Sequence, residues 1–404
     1  MNDKTNESRP IVAIRDLRLS RRALLRGIAI GGAGLATAGF AACGDDDDTA
    51  STETTTGGDT TATTAEGGGG SGDVDQVSYV YGFPAPHAGL LFPYYNAQEQ
   101  GFLEEEGLQV EFNYQTAGIP LIAGGTVEFG EVSADELLNA FAAGQKVKVF
   151  CQLTYGQQFG FVVPADSPIT EWTPEQISGT TIGITELAGG EVPICRAALA
   201  HVGLKEGEDV TFFPTSGANQ AITVDAFNTG KIDIFAGSIL DHAAVTVAGL
   251  ELRPVTPDFI LNASGDNAMG TRADYLEQNR DQVVRLARAM AKGKVWSFDP
   301  ANREKAIENA LRVAPDTGSP EEVSSFIEIL QLGRAMPPAA ADIEEGQIWE
   351  KGWDDYQKLL LEGSTGSPDD PLTFTEPIPI NEIVDNSLNE EIFDFDRAEI
   401  ASRP

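Results

Sequence analysis

From about residue 77 onward, apolar residues fall into short β-type runs separated by stretches of helical period. Runs at 77–81, 108–114, 127–132, 147–153, 159–164, 181–185, 210–213 and 232–235 predict strands. Helical spacing predicts helices over 92–100, 134–143, 281–291, 302–311 and 320–332, with Gly144 placed to stop the second of them. Strands alternating with helices predict an α/β fold with mostly parallel sheet and helices on both faces. From about residue 275 the pattern turns largely helical.

Two stretches look like one unit used twice. Gly125-Thr126-Val127-Glu128-Phe129-Gly130-Glu131-Val132-Ser133 and Gly230-Lys231-Ile232-Asp233-Ile234-Phe235-Ala236-Gly237-Ser238 each open with glycine after a helix. Each places an acid three residues on and a serine eight residues on. Ligands of open α/β sheets bind beyond the carboxyl ends of strands, so two lobes facing across a cleft would bring Ser133 and Ser238 toward one ligand. Gly189-Gly190 precedes a helix that starts near Glu191, where backbone N–H groups offer an anion site. Yet Glu191 stands at that mouth, and Asp135 and Asp241 closely follow the two serines.

Partly buried carboxylates are costly opposite an anion. Opposite the amino groups of a heterocycle, each charged hydrogen bond contributes roughly 1.5–3 kcal/mol. The acidic rim therefore favours an amino-bearing or neutral ligand. Tyr81, Phe83, Tyr155 and Phe159 lie near predicted strand ends, where they could stack on a flat ring; His87 sits nearby. Each candidate also has a purely structural role open to it. Ser133 with Glu136 fits a helix capping box. Asp135 and Glu191 fall in first helical turns, where acids suit the helix dipole. Asp241 could lie on the surface, Phe83 and Tyr155 in the core, and His87 could cap or pack.

The N-terminal part reads differently. Ser20-Arg21-Arg22-Ala23-Leu24-Leu25-Arg26 precedes a Gly/Ala-rich apolar stretch ending at Phe40-Ala41-Ala42-Cys43. Paired arginines before an apolar segment read as a twin-arginine export signal. The segment from 27 to 42 is shorter than the roughly 20 residues that a membrane span needs. Its end resembles a bacterial lipoprotein signal, with Cys43 lipidated and the chain held on the outer face of the cytoplasmic membrane or in the periplasm. The Asp/Thr/Gly/Ser run over 43–75 has no apolar face and reads as a flexible tether.

Charge and cysteines narrow the picture further. The chain of 404 residues has a formal net charge of −35. Residues 1–42 hold seven of the 27 basic and three of the 62 acidic residues, so the remainder is more acidic still. Such a balance argues against nucleic acid as a partner. With Cys43 lipidated, Cys151 and Cys195 remain, either bridged in an oxidising compartment or buried as free thiols. No Cys/His cluster has the spacing of a metal site, and no P-loop or Gly-x-Ser-x-Gly elbow occurs.

Phe83-Pro84-Ala85-Pro86-His87-Ala88-Gly89-Leu90, followed by Gly101-Phe102-Leu103-Glu104-Glu105-Glu106-Gly107-Leu108-Gln109-Val110-Glu111, resembles the opening of one large solute-binding family. That family serves ABC importers for nitrate, sulfonates, taurine and thiamine-pyrimidine precursors. Glu128-Phe129-Gly130, Ala134-Asp135-Glu136-Leu137-Leu138, Thr181-Ile182-Gly183-Ile184 and Gly189-Gly190-Glu191 extend the likeness over about 77–291. The His87-Ala88-Gly89-Leu90 step is most similar to the pyrimidine-precursor branch, although Tyr81-Gly82 stands where that branch has Asp-Trp.

The resemblance implies a periplasmic-binding-protein type II fold, with lobe one from 76–158 and 271–404 and lobe two from 159–270. It implies a monomeric binder rather than an enzyme, without cofactor or metal. A small molecule would be captured in the cleft and delivered to an ABC permease and its ATPase. A pyrimidine or related nitrogen heterocycle is the expected ligand, with sulfonate, taurine or nitrate as the alternative. A pyrimidine-synthase-like enzyme and a tethered signalling receptor are the readings from other classes.

Overall fold

The computed structural model describes residues 74–404 apart from 83–84, 116–117, 188, 216–219, 334–335 and 367–371. The expected signal, Cys43, the tether to residue 73 and Phe83 lie outside the described residues. Two five-stranded sheets carry the chain. The first joins β1 (Asp75–Tyr81), β2 (Leu108–Tyr114), β3 (Phe129–Val132), β4 (Val147–Gln152) and β10 (Ala268–Arg272) in the order β2-β1-β3-β10-β4. The second joins β5 (Phe159–Pro164), β6 (Thr181–Ile184), β7 (Thr211–Pro214), β8 (Ile234–Ser238) and β9 (Leu252–Pro254) in the order β7-β6-β8-β5-β9.

Mostly parallel sheet was expected, and each sheet is mixed. β2-β1-β3 and β7-β6-β8 are parallel, whereas β10 runs antiparallel to β3 and β4, and β5 to β8 and β9. Connectivity gives the reason. β4 leaves its sheet at the carboxyl ends of the parallel strands, so β5 enters the second sheet from that end and must run the opposite way. β10 repeats this on the return.

The crossings occupy 153–158 and 255–267 and are tied to each other. The backbone N–H groups of Leu153 and Thr154 donate to the Asn267 carbonyl at 2.9 and 3.3 Å. Ser264 Oγ donates to the Gly156 carbonyl at 2.8 Å, and Gln157 Nε2 to the Ala263 carbonyl. Residues 268–270, expected in lobe two, thus belong to the first sheet. Asp75, expected in the tether, opens β1 and pairs with Arg285 at 2.5 Å.

The longer helices are α1 (Ala88–Glu99), α2 (Ala134–Ala142), α3 (Glu191–His201), α4 (Gln220–Asn228), α5 (Ile239–Val247), α6 (Arg280–Phe298), α7 (Arg303–Val313), α8 (Pro320–Gly333) and α9 (Glu350–Gly363). α1 starts four residues before the predicted 92 because His87 caps it, and its helical run carries through Pro93. Gly144 has φ +82°, the left-handed conformation that ends the helical run after α2, as its position in the sequence implies. No helix among the described residues is long and apolar enough to cross a membrane.

The C-terminal helices do not all stay with the first sheet. α9 packs on α3 of the second lobe while also touching α2 of the first. Trp353, Leu359 and Leu360 of α9 share one buried core with Val192, Ile194 and Cys195 of α3. Each such side chain contributes about 1.5–3 kcal/mol of burial. α8 likewise reaches across to α5. The two cysteines are free and buried, Cys151 in β4 and Cys195 in α3.

Gly363 makes the α9–α3 approach possible, since a Cβ there would lie 1.8 Å from the Pro193 carbonyl oxygen. Gly363→Ala is expected to cost about 1–3 kcal/mol through overpacking, measured as a lowered denaturant midpoint at unchanged slope.

Candidate functional site

The carboxyl ends of the parallel strands carry most of the residues singled out from sequence. In the second lobe, β6 ends at Ile184 and the chain turns through Thr185 into α3, whose first residue is Glu191. Glu191 is only 2% exposed. Its Oε1 accepts from the Thr185 backbone N–H at 2.6 Å and from the Thr185 hydroxyl. A Cβ at Gly189 would lie 2.4 Å from Glu191 Oε2, and one at Gly190 would lie 2.7 Å from the Phe159 ring. The two glycines therefore admit a carboxylate and an aromatic ring at close range. A negative group already sits at the helix mouth where an anion was one expectation.

Ser238 and Asp241 close the other strand of this lobe. Ser238 donates to Asp241 Oδ2 from its backbone N–H at 2.8 Å and from Oγ at 2.6 Å. Asp241 N–H donates back to Ser238 Oγ at 3.3 Å. This is a reciprocal cap of α5. Burial pushes the carboxyl groups of both Glu191 and Asp241 above their ordinary range, and for Glu191 the charge of Asp241 adds to the rise. His242 follows; burial lowers its pKa to about 4, so its ring is neutral.

The first lobe repeats the device. Ser133 caps α2 in a capping box with Glu136. Burial raises the pKa of Asp135, Ser133 opposes the rise, and Asp266 adds to it. Asp266 is 3% exposed and comes from the second crossing, which is docked on α2 by the Ala134 N–H donating to the Gly265 carbonyl at 2.9 Å. Both acids act on the buried Tyr356 hydroxyl of α9. Glu131 of β3 accepts from Asn267 Nδ2 at 2.6 Å. Sequence reasoning missed Asp266, Glu131 and Tyr356. Glu131 had a signal, an acid inside an apolar strand; the other two are brought in by the crossing and by α9.

His87 has a local role. Its Nδ1 accepts from the N–H groups of Gly89 and Leu90 at 3.1 and 3.2 Å, and its ring lies 4.8 Å from that of Phe326. Burial lowers its pKa to about 4. Tyr155 is buried beside Ala340 and Trp349, and its hydroxyl lies within hydrogen-bond reach of the Gln347 and Glu344 carbonyls at 3.0 and 3.2 Å. The structure thus groups Glu191 with Asp241 and Gly189-Gly190 in one lobe, and Asp135 with Ser133 in the other. His87 and Tyr155 stand apart from both groups.

A cavity of about 870 Å³ lies in the first lobe, between α1, α6, α8 and the ends of β3 and β4. Tyr155 alone of the sequence-derived site residues lines it. Its charged groups include Lys294, which pairs with Glu345 at 3.1 Å, and Arg397, which pairs with the same carboxylate. Burial would raise Glu345, but these two cations hold it below the ordinary carboxylate range. No group of three or more His, Cys, Asp or Glu among the described residues could hold a metal ion.

His87 provides a pH test of the cap. The unfolded histidine takes up its proton near pH 6.5 and the folded one only near 4, so falling pH withdraws stability across that window. The loss reaches about 3 kcal/mol by pH 4. The raised carboxyls act in the opposite sense, losing stability as pH rises through their folded values, and cancel between wild type and variant. His87→Asn keeps a capping group and is expected to match wild type near pH 7.5. It should then overtake wild type in urea unfolding as pH falls from 6.5 to 4.

Comparison with known proteins agrees with this architecture. The sequence pattern of the family described as NMT1/THI5 like matches residues 90–302, more than half of the chain. YtlA of Bacillus subtilis, named as a binding protein, is 22% identical over 324 residues, covering 76% of this chain and 87% of that protein. The riboflavin-binding protein RibY of Chloroflexus aurantiacus is 25% identical over 230 residues, covering 55% of this chain and 63% of that protein. The periplasmic aliphatic sulphonate-binding protein SsuA of Escherichia coli has a similar fold. Its TM-score is 0.56 at 16% identity, over 78% of this chain and 92% of that one. The periplasmic nitrate-binding protein NrtA of Synechocystis gives 0.51 at 15% identity, over 82% and 92%. Two mixed sheets joined by paired crossings, with capped acids at the facing strand ends, are thus the form taken here by a chain that belongs to the NMT1/THI5-like family.

Proposed function

We propose that this protein is an extracytoplasmic solute-binding protein that captures a small molecule between its lobes and delivers it to an ABC permease driven by an ATPase. The observation that carries this is the pairing of family and architecture: an NMT1/THI5-like chain whose two lobes are joined by short crossings and by α8 and α9. Hinge closure around a ligand is the common motion of such folds. A binder rather than an enzyme is favoured by the two cysteines. They lie in separate lobes, and burial pushes both thiols up, Cys151 to about 12, so neither is a ready nucleophile.

The ligand we favour is a nitrogen heterocycle with amino or other donor groups. Four carboxyl groups, Asp135 and Asp266 in one lobe and Glu191 and Asp241 in the other, crowd the strand ends. They would repel nitrate or a sulfonate and accept from a heterocycle. The riboflavin named for RibY falls within the heterocycle class; the sulphonate and nitrate named for SsuA and NrtA are the rival.

A thermal-shift panel on the chain from residue 74 would compare aminopyrimidines with taurine, alkanesulfonates and nitrate. A saturable rise with an aminopyrimidine, and at least about tenfold weaker binding in Asp135→Asn or Glu191→Gln, is the expected result. A rise with oxyanions alone would replace the ligand class, and no rise with any solute would remove the solute-binding reading. Membrane attachment is proposed to run through Cys43. Cys43→Ala in the full chain is expected to move the protein from the membrane to the soluble fraction; unchanged sedimentation with membranes would refute the anchor.

A further inference from the structure

α9 makes two kinds of contact, and they divide between the lobes. Toward lobe one the contacts are directional. The Trp349 N–H, just before α9, donates to Gln152 Oε1 of β4 at 2.8 Å. The Asn386 side chain accepts from the Ile348 N–H at 2.6 Å and donates to the Glu350 carboxylate at 3.0 Å. Gln357, fully buried, donates from Nε2 to the Ile378 carbonyl at 2.9 Å and accepts from the Ile378 N–H at 2.8 Å. The chain from Ile378 runs on to Asp385, whose N–H donates to the Val149 carbonyl of β4 at 2.9 Å. Bonds of this kind are sensitive to distance and angle, so they hold α9 at one register on the first lobe.

Toward α3 of lobe two the contact is apolar, through the core that Trp353, Leu359 and Leu360 share with Val192, Ile194 and Cys195. Lys351 pairs with Asp355 and Lys358 with Asp354, all within α9. The Trp353 indole N–H is buried without a hydrogen-bond partner. Among the described residues, neither a hydrogen bond nor an ion pair ties α9 to α3. Apolar attraction is non-directional; it opposes separation of the helices far more than a small displacement along them. The tightest point of this interface is backbone on backbone. A Cβ at Gly363 would lie 1.8 Å from the Pro193 carbonyl oxygen, in the first turn of α3 and two residues after Glu191.

We infer that the lobes close by a guided shear: α9 stays fixed on lobe one, α3 slides along it, and Gly363 is a positioning residue that keeps the path clear for the turn bearing Glu191. The inference rests on the solute-binding reading above and specifies how its closure runs. Helix shifts at packed interfaces reach about 1–2 Å. A shift of α3 carries Glu191 relative to Asp135 and Asp266, which remain beside Tyr356 of α9. Gly265 holds that side together: a Cβ on it would lie 2.3 Å from Ala134 Cβ of α2 and 3.2 Å from the Tyr356 ring.

Nitroxide pairs read this motion in the full chain carrying Cys43→Ser, because Cys151 and Cys195 are buried and escape labelling. Labels at the exposed positions Glu308→Cys, Lys358→Cys and Asp225→Cys mark α7 of lobe one, α9, and α4 of lobe two. Dipolar distance distributions would be recorded without solute and with each solute of the thermal-shift panel. The 225–358 and 225–308 pairs are expected to spread or shift together, by at least about 2 Å more than the 308–358 pair. Gly363→Ala should narrow the 225–358 distribution and leave 308–358 as it was. Ile307→Val, a destabilising change in the core of lobe one, should alter neither. A wide 308–358 pair would show α9 leaving lobe one and would overturn the inference, as would a 225–358 spread untouched by Gly363→Ala. Three narrow pairs with saturable solute binding would overturn it and leave the solute-binding reading standing. Three narrow pairs with no solute binding would remove both.

Discussion

Hydrogen bonds between the two crossings set the terms for everything else in this structure. Segments 153–158 and 255–267 run side by side, joined from Leu153 and Thr154 to Asn267, from Ser264 to Gly156 and from Gln157 to Ala263. Bound in this way, two loops behave as one joint, and the strand ends of both sheets are held facing each other. The same joint fixes the direction of β5 and β10, and so makes both sheets mixed. It also delivers Asp266 and Asn267 to the first lobe, where they meet Asp135 and Glu131. The acidity of the first lobe's strand ends is partly a product of the second crossing.

Each lobe solves the start of its post-strand helix with the same chemistry. A serine ends the strand, and an acid three residues later returns a hydrogen bond to it: Ser133 with Glu136, Ser238 with Asp241. Capping is worth about 1 kcal/mol to each helix, which is reason enough for the residues to be there. Buried carboxyl groups gather at the same strand ends: Asp241, itself a capping acid, with Glu191 in one lobe, and Asp135 beside the cap in the other. Burial and mutual repulsion leave these groups easier to protonate than ordinary acids.

The lobes are asymmetric in what they enclose. The second lobe packs its strand ends closely, with Glu191 folded beneath Gly189 and Phe159 against Gly190. The first lobe holds a chamber under α8, roofed by C-terminal helices that have no counterpart in the second. α8, one of those helices, also touches α5 of the opposite lobe, and α9 packs on α3, so any change in the angle between lobes is felt at the chamber's roof through α8 and on α3 through α9.

The sequence by itself was enough for the strand and helix pattern, the repeated strand-to-serine unit, the Ser133–Glu136 cap, the family and the α/β class, because these rest on local periodicity and short motifs. The strand predicted at 108–114 matches β2, and 159–164 matches β5. Local pattern could not show that β10 begins at Ala268, that α9 leaves its own lobe to pack on α3, or that His87 spends its lone pair on a helix cap. Those outcomes depend on partners more than a hundred residues away or on backbone geometry that no periodicity encodes. The chamber is the plainest case. Its walls come from α1, β3, β4, β10, α6 and α8, and three methionines spread over 269–336 become one surface only when the chain has folded. Which residues are apolar is written along the chain; which of them share a space is decided by packing alone.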